Sequence, residues 1–187
     1  MKKANITSEK ELIERCIRGD SFKELFNLFK DRVFSTSIRM LGNVQDAEDT
    51  TQEIFIKIFK NIKNFKGDSS LKTWIYKISV NTCIDKLKKR KKHIKNEYLG
   101  LGNEINLTSY TEKPFGQNKV IIDNEISKLP EKYKSVFILH EIEGFKHEEI
   151  SEIMNIPPGT SKSHLFVAKS LLRKKLLPYL EVLKNEM

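Results

Sequence analysis

The sequence predicts an all-α protein: two small helical domains joined by a flexible linker. Three observations point there. Apolar residues recur at spacings of three and four, and no convincing alternating strand pattern interrupts them. The stretch 93–119 loses that period and carries Gly, Asn, Ser, Thr and Pro instead, as a linker does. The flanking parts, 8–92 and 120–183, are each long enough to bury a modest core.

The first domain is expected to hold four helices. Ser8 is a candidate cap for a helix through "SEKELIERCIR", which Gly19 ends. "SFKELFNLFKDRVFSTSIRML" places Phe22, Leu25, Phe26, Phe29, Val33, Phe34 and Leu41 along one side, and Gly42-Asn43 breaks it. In "VQDAEDTTQEIFIKIFKNIKNF", a rotation of about 100° per residue gathers Phe55, Ile58, Phe59 and Ile62 on one face. Asp46, Asp49, Glu53, Lys57 and Lys60 gather on the opposite face. Acidic groups at a helix start compensate its dipole and keep a face solvated. Ile56, however, falls beside that strip, where a monomer gains nothing from it. The combination also suits a docking surface for another protein.

"KGDSS" reads as a turn, with Gly67 and then Asp68 or Ser69 as cap, leading into "LKTWIYKISVNTCIDKLKKRKKHIK". Trp74, Lys77, Asn81 and Lys88 share one stripe of that helix. Trp74 either joins the core beside Ile75 and Ile78 or, with the basic and amide groups, stacks on an unpaired strand. The terminal "KKRKK" must face solvent or an anion.

Past the linker, "VIIDNEISKLPEKYKSVFILHEIEG" gives two helices split at Leu129-Pro130. "HEEISEIM" aligns Ile150, Ile153 and Met154, Asn155 to Pro158 turns, and "GTSKSHLFVAKSLLRKKLLPYL" resumes with Leu165, Ala168, Leu172 and Leu176 in register. Two helices joined in this way match a helix-turn-helix, whose second helix enters a major groove N-terminus first. Thr160, Lys162, Ser163 and His164 would lead, all able to donate to phosphates or base edges. A helical hairpin that only completes a bundle has the same pattern.

The charge balance favours the nucleic-acid reading. Formal net charge is +9 and the pI about 9.4, an excess that suits a polyanionic partner. No run of about 18 apolar residues is present, so no membrane insertion is expected. The basic start has no apolar core after it and is not a secretory signal. Cys16 and Cys83 have no ligand spacing and read as reduced, buried thiols, which makes the cytoplasm the expected location. His140 and His147 are seven residues apart with no third ligand, and no Gly-rich phosphate loop or nucleophile elbow occurs. No catalytic residue, metal or cofactor is therefore expected. A carboxylate nuclease built on Asp46, Asp49 and Glu53 would lack a second cluster, and Lys57 and Lys60 would compete with its metal. An operator-binding dimer remains a rival, with only "LLPYLEVLK" to pair through.

Taken together, the motifs resemble the extracytoplasmic-function (ECF, group-four) sigma factors of bacterial RNA polymerase. "DAEDTTQEIFIKIFKNI" is similar to the part of region 2 that docks on the clamp helices of the polymerase's largest subunit. "FKGDSSLKTWIYKISVNTCIDKLKKRKK" is similar to the part that captures and melts the −10 element. "LPEKYKSVFILHEIEGFKHEEISEIMNIPPGTSKSHLFVAKSLLRKKL" is similar to region 4, which reads the −35 element.

The resemblance implies polymerase contacts at Asp46, Asp49, Gln52, Glu53 and Ile56. It implies −10 contacts at Phe65, Lys66, Asp68, Ser69 and Ser70, the loop holding a flipped base, and at Trp74, Lys77, Asn81, Lys86, Lys88, Lys89 and Arg90. Contacts to −35 DNA would come from Thr160, Lys162, Ser163, His164, Phe166, Lys169 and Arg173. The implied partners are core polymerase (clamp helices and the flap of the second-largest subunit), promoter DNA and an anti-sigma factor. Two positions depart from the family's pattern. Ser161 stands where Val or Ile usually packs the recognition helix, which is expected to loosen its seat. Val167 stands where a basic residue is frequent.

Overall fold

A computed structural model describes the backbone of residues 9–98 and 117–185, and the side-chain surroundings of residues 9–92 and 121–179. Every regular element among those residues is helical. The first half comprises α1 (Glu9–Arg18), α2 (Phe22–Leu41), α3 (Val44–Asn61), a 3-10 turn (Ile62–Asn64) and α4 (Leu71–Tyr98). The second comprises α5 (Gln117–Ser127), α6 (Glu131–Phe137) running into a π-helical stretch (Ile138–Ile142), α7 (His147–Met154) and α8 (Pro158–Asn185). The expected cap Ser8 lies outside the described residues. Helix enters both edges of the stretch 93–119, through α4 up to Tyr98 and α5 from Gln117.

Local chemistry sets the boundaries that matter for function. Gly42 takes a left-handed conformation (φ 71°) and donates its N–H to Ile38 O, closing α2. Asn43 then caps α3, its side chain accepting the Asp46 N–H at 2.9 Å. Before α4 the cap is Ser70, whose Oγ accepts the Thr73 N–H at 3.0 Å, and not Asp68 or Ser69. The helix opens at Leu71 because that side chain is 2% exposed and must point inward, which leaves Ser70 as the flanking residue. A second free N–H, that of Leu71, goes to the Glu9 carboxylate of α1 at 2.8 Å.

In the first half, Leu25, Phe29, Val33, Ile54, Phe55, Ile58, Ile62, Leu71, Ile75, Tyr76 and Val80 are buried. Phe59, expected to point inward, is 56% exposed and meets the ring of Phe22 edge-on at 5.0 Å. It lies a quarter-turn past Ile58, so it covers the rim of the core instead of entering it. In the second half, Ile150, Ile153, Leu165, Ala168 and Leu172 are buried between α7 and α8, and Leu176 is half-buried. Asn155 (φ 53°) makes the left-handed turn between them, a conformation that Asn tolerates better than most residues.

The halves pack on each other. α7 lies on α4, α5 and α6 touch α2, and the two apolar interiors form one continuous cluster.

Candidate protein- and nucleic-acid-binding surfaces

Four of the five residues expected to meet a protein partner form an exposed patch on α3. Asp49, Gln52, Glu53 and Ile56 all face solvent, Ile56 with 53% of its surface exposed. Glu53 pairs with Lys57 at 2.7 Å one turn on. Lys57 also reaches across to donate to Thr82 Oγ1 of α4 at 3.1 Å, so the strip's basic end is held against the neighbouring helix. Asp46, the fifth, is turned differently. Its half-buried carboxylate sits in the α3–α4 seam, 3.3 Å from Lys86 Nζ and 3.8 Å from Arg90. Charges expected to serve two different partners thus pair with one another, something that no linear spacing revealed.

The loop from Phe65 to Ser70 reverses at Gly67 (φ 79°), which frees Lys66 and Asp68 to stand in solvent. Phe65 and Trp74 are both half-buried, with ring centroids 5.3 Å apart and planes tilted by 58°. Trp74 is therefore neither wholly core nor a free platform: one face braces the loop, and part of the ring reaches the surface. Ser70 and Thr73 hydroxyls join at 2.8 Å behind it. Further along α4, Lys77, Asn81, Lys88 and Lys89 are exposed, while Lys86 and Arg90 are the partly covered partners of Asp46.

On α8, Lys162, Ser163, Phe166, Lys169 and Arg173 are exposed, with Phe166 at 76%, and Thr160 and His164 are half-buried. Phe166 thus leaves a large apolar ring in water on α8. Ser163 Oγ donates to Thr160 O at 2.9 Å. Lys169 pairs with Glu141 at 2.9 Å, and that hydrogen bond lowers the Glu141 carboxyl below its usual range. The His164 ring meets Tyr133 of α6 edge-on at 5.3 Å, so only one of its edges is available to a ligand. Burial, followed by nearby Lys132, lowers the His164 pKa and favours the neutral imidazole.

Ser161 is fully buried, as a residue seating the helix should be, and its hydroxyl is hydrogen-bonded to His147 Nδ1 of α7 at 2.8 Å. The expected looseness is thus met by a polar link between the two helices. His147 in turn stacks on His140 at 4.6 Å, and burial followed by the neighbouring His140 lowers its pKa. Sequence reasoning missed both Tyr133 and the His147–Ser161 pair. A buried hydroxyl at a helical core position was the available signal, because such a group needs a partner.

Comparison with known proteins now adds to this geometry. Residues 25–93 match the Sigma-70 region 2 family and residues 119–172 match Sigma-70, region 4. The ECF RNA polymerase sigma factor SigW of Bacillus subtilis (strain 168) is 34% identical over 180 residues, covering 89% of this chain and 96% of that protein. The chain belongs to the ECF sigma factors. The ECF RNA polymerase sigma-E factor of Haemophilus influenzae is 31% identical, with 91% of this chain and 96% of that protein covered. The sigma-E factor of Escherichia coli (strain K12) is 30% identical with similar coverage. As an ECF sigma factor, the protein directs core RNA polymerase to promoters and initiates transcription.

Solved structures give the same fold. The sigma factor RpoE of Bartonella quintana, crystallised with the anti-sigma factor NepR, superposes with a TM-score of 0.68 at 21% identity, covering 83% of this chain and 96% of that one. CnrH, solved with the cytosolic domain of CnrY, gives 0.64 at 16% identity, covering 90% and 96%. Among the described residues no helix is long and apolar enough to cross a membrane.

Proposed function

We propose that the patch of Asp49, Gln52, Glu53 and Ile56 is the handle by which core polymerase holds this sigma factor, with Asp46 at its edge. The observation that carries this is Ile56, half exposed among carboxylates on a helix whose other side buries Ile54, Phe55 and Ile58. An isolated apolar group rimmed by charge is the composition of a small protein-binding site.

Residues 8–92 act as the −10 reader and residues 120–183 as the −35 reader. Phe65, Lys66, Asp68, Ser69 and Ser70 form the lip of a pocket for an extruded base, with Trp74 as its floor. Extrusion costs a few kcal/mol of stacking and pairing, which aromatic contact and phosphate pairing offset. Lys77, Lys88 and Lys89 face the strand's phosphates, and Asn81 a base edge near the adjoining duplex. Lys86 and Arg90 join them by exchanging Asp46 for phosphate. On −35 DNA, Thr160, Lys169 and Arg173 take the backbone, Lys162, Ser163 and His164 meet base edges, and Phe166 a thymine methyl or sugar.

Each reader alone is weak. Polymerase fixes their separation and raises the effective concentration of the second contact. The protein does no chemistry of its own and works in the cytoplasm. The clamp helices of the largest subunit take the α3 handle, and the flap of the second-largest takes the −35 reader. An anti-sigma protein is a further partner, by analogy with RpoE and its anti-sigma factor NepR.

The test is run-off transcription with purified core polymerase on promoters selected from a random library. RNA that depends on both elements and on this protein is expected. Absence of run-off RNA from every selected template would defeat the reading.

A further inference from the structure

A chain of contacts runs along the foot of the recognition helix, from Lys169 through Glu141, His140 and His147 to Ser161. His140 and Glu141 lie in the π-helical stretch after α6, a backbone geometry frequent at functional sites. One oxygen of Glu141, Oε1, accepts from His140 Nδ1 at 2.7 Å and also pairs with Lys169 Nζ of α8 at 2.9 Å. The His140 ring stacks on His147 of α7, with centroids 4.6 Å and planes 27° apart, and His147 Nδ1 meets Ser161 Oγ of α8 at 2.8 Å. Among the described residues, Lys169 is the one permanent cation within ion-pair distance of Glu141.

The other charges nearby are engaged elsewhere or balanced. On α6, Glu131 pairs with Lys91, Lys132 lies over the Tyr133 ring and Lys134 donates to Met40 O. In the turn before α7, the Glu143 carboxylate accepts from Thr36 and Tyr76. Lys162 of α8 and Glu148 of α7 act on His147 with opposite signs. Asp31, Arg32 and Arg39 of α2 line a cleft with Glu141, Arg39 being paired with Asp123. The charge state of His140 is therefore governed by Glu141, and that of Glu141 by Lys169, whose hydrogen bond is the main cause holding the Glu141 carboxyl below its usual range.

We infer that −35 docking is coupled to proton uptake: as Lys169 leaves Glu141 for a phosphate, His140 takes a proton from solvent and replaces it as the cation on that carboxylate. This rests on the reading of Lys169 as a −35 backbone contact. The ion pair is weak enough to exchange, its side chains being 49% and 32% exposed. An ionised carboxylate only accepts, so neutral His140 gives it the Nδ1–H and keeps a lone pair on Nε2. Once Lys169 turns to DNA, Glu141 is uncompensated and a phosphate strand lies close, and both favour the charged imidazole. The proton enters at Nε2 while Nδ1–H stays on Glu141. A second proton on His147 is opposed by the charged ring stacked 4.6 Å away and by Lys162. About one proton is bound per −35 site occupied, so by linkage affinity rises as pH falls. Imidazoles titrate near pH 6.5, so with a higher midpoint in the complex the gain begins below about pH 8 and levels off near about pH 6.

The test is NMR of the full chain with nitrogen-labelled histidine, titrated with acid in the presence and absence of a −35 duplex from a selected promoter. Variants such as His140→Gln and His147→Gln assign the imidazole signals. Duplex should raise the His140 midpoint by about one pH unit and leave His147 within about 0.3. Lys169→Met removes the ammonium from the outset, so its free chain should already show the raised His140 midpoint. Glu141→Gln should abolish both effects. Bound to core polymerase, the wild type should gain about fivefold more affinity for the promoter between about pH 8 and 6 than His140→Gln does, and no more than it on a promoter without the −35 element. A His140 midpoint unmoved by duplex or by Lys169→Met, or an equal pH response in the His140→Gln complex, would overturn the coupling. Wild-type run-off RNA separates the two levels: RNA from −35-dependent promoters with an unmoved His140 defeats the coupling alone, and no RNA defeats the −35 reading beneath it.

Discussion

Reversing the charges at two positions of the α3 patch separates a binding surface from a structural one. In Asp49→Lys with Glu53→Lys, the only ion pair seen at the patch, Glu53 to Lys57, is lost; its side chains are 50% and 40% exposed. An exposed pair one turn apart contributes about 0.3–0.5 kcal/mol, and the like charges created cost a similar amount. With a small dipole term the fold should lose about 1–1.5 kcal/mol, a fall in Tm of a few degrees for a chain of this size. Binding should respond on another scale. Removing one partner of an interfacial charge pair costs about 2–5 kcal/mol, so two reversals at the low end weaken Kd about 1,000-fold. Titration of labelled core polymerase, with thermal melting of the same samples, measures both. A Kd within about threefold of wild type would refute the handle, and a fall in Tm beyond about 10 °C would show that the face is structural.

The remaining predictions concern the second half and its seam with the first. Ser161→Ala and His147→Leu, alone and together, should show a coupling of about 1 kcal/mol in urea unfolding, since each single change strands the other's polar group; additive effects would deny the bond. Because burial lowers the pKa of His147 and His164 below the unfolded value of 6.5, the unfolded chain takes up protons first as pH falls. Stability is therefore full above pH 6.5 and declines below it, and His147→Gln should flatten part of that decline between pH 7 and 5.5. Lys134 is 8% exposed, donates to Met40 O at 3.3 Å, and has its pKa lowered by burial to about 8 from 10.5. Stability should rise as pH climbs from about 8 to 10.5, where only the unfolded chain holds that proton, and Lys134→Met should abolish the rise. Phe166→Ala should leave stability within about 0.5 kcal/mol, given its exposure, while cutting transcription from −35-dependent promoters.

Much of this was legible in the sequence because its signals are local. Spacing of three and four located the helices, Gly42-Asn43 and Leu129-Pro130 fell where helices stop, and the rotation of α3 placed Ile56 beside Asp49 and Glu53. Rim positions were less legible: Phe59 shares the core's period but lies a quarter-turn past its centre. Relations between helices were not legible at all. Asp46 pairing with Lys86 and Arg90, Tyr133 bracing His164, and Glu143 reaching Thr36 and Tyr76 join residues far apart in the chain. Ser161 shows the limit most clearly. Its departure from an apolar residue suggested a loosened helix, but the compensating donor or acceptor lay fourteen residues away on another helix.

The most direct test of a polymerase-held pair of weak readers is a footprint on promoter DNA with and without core polymerase. Alone, the protein should bind weakly, with a steep salt dependence and no preference for promoter over scrambled duplex. With polymerase, protection should extend across both elements, and thymines near −10 should become reactive to permanganate as the strands part. Tight, sequence-specific protection of both elements by the protein alone would contradict the account.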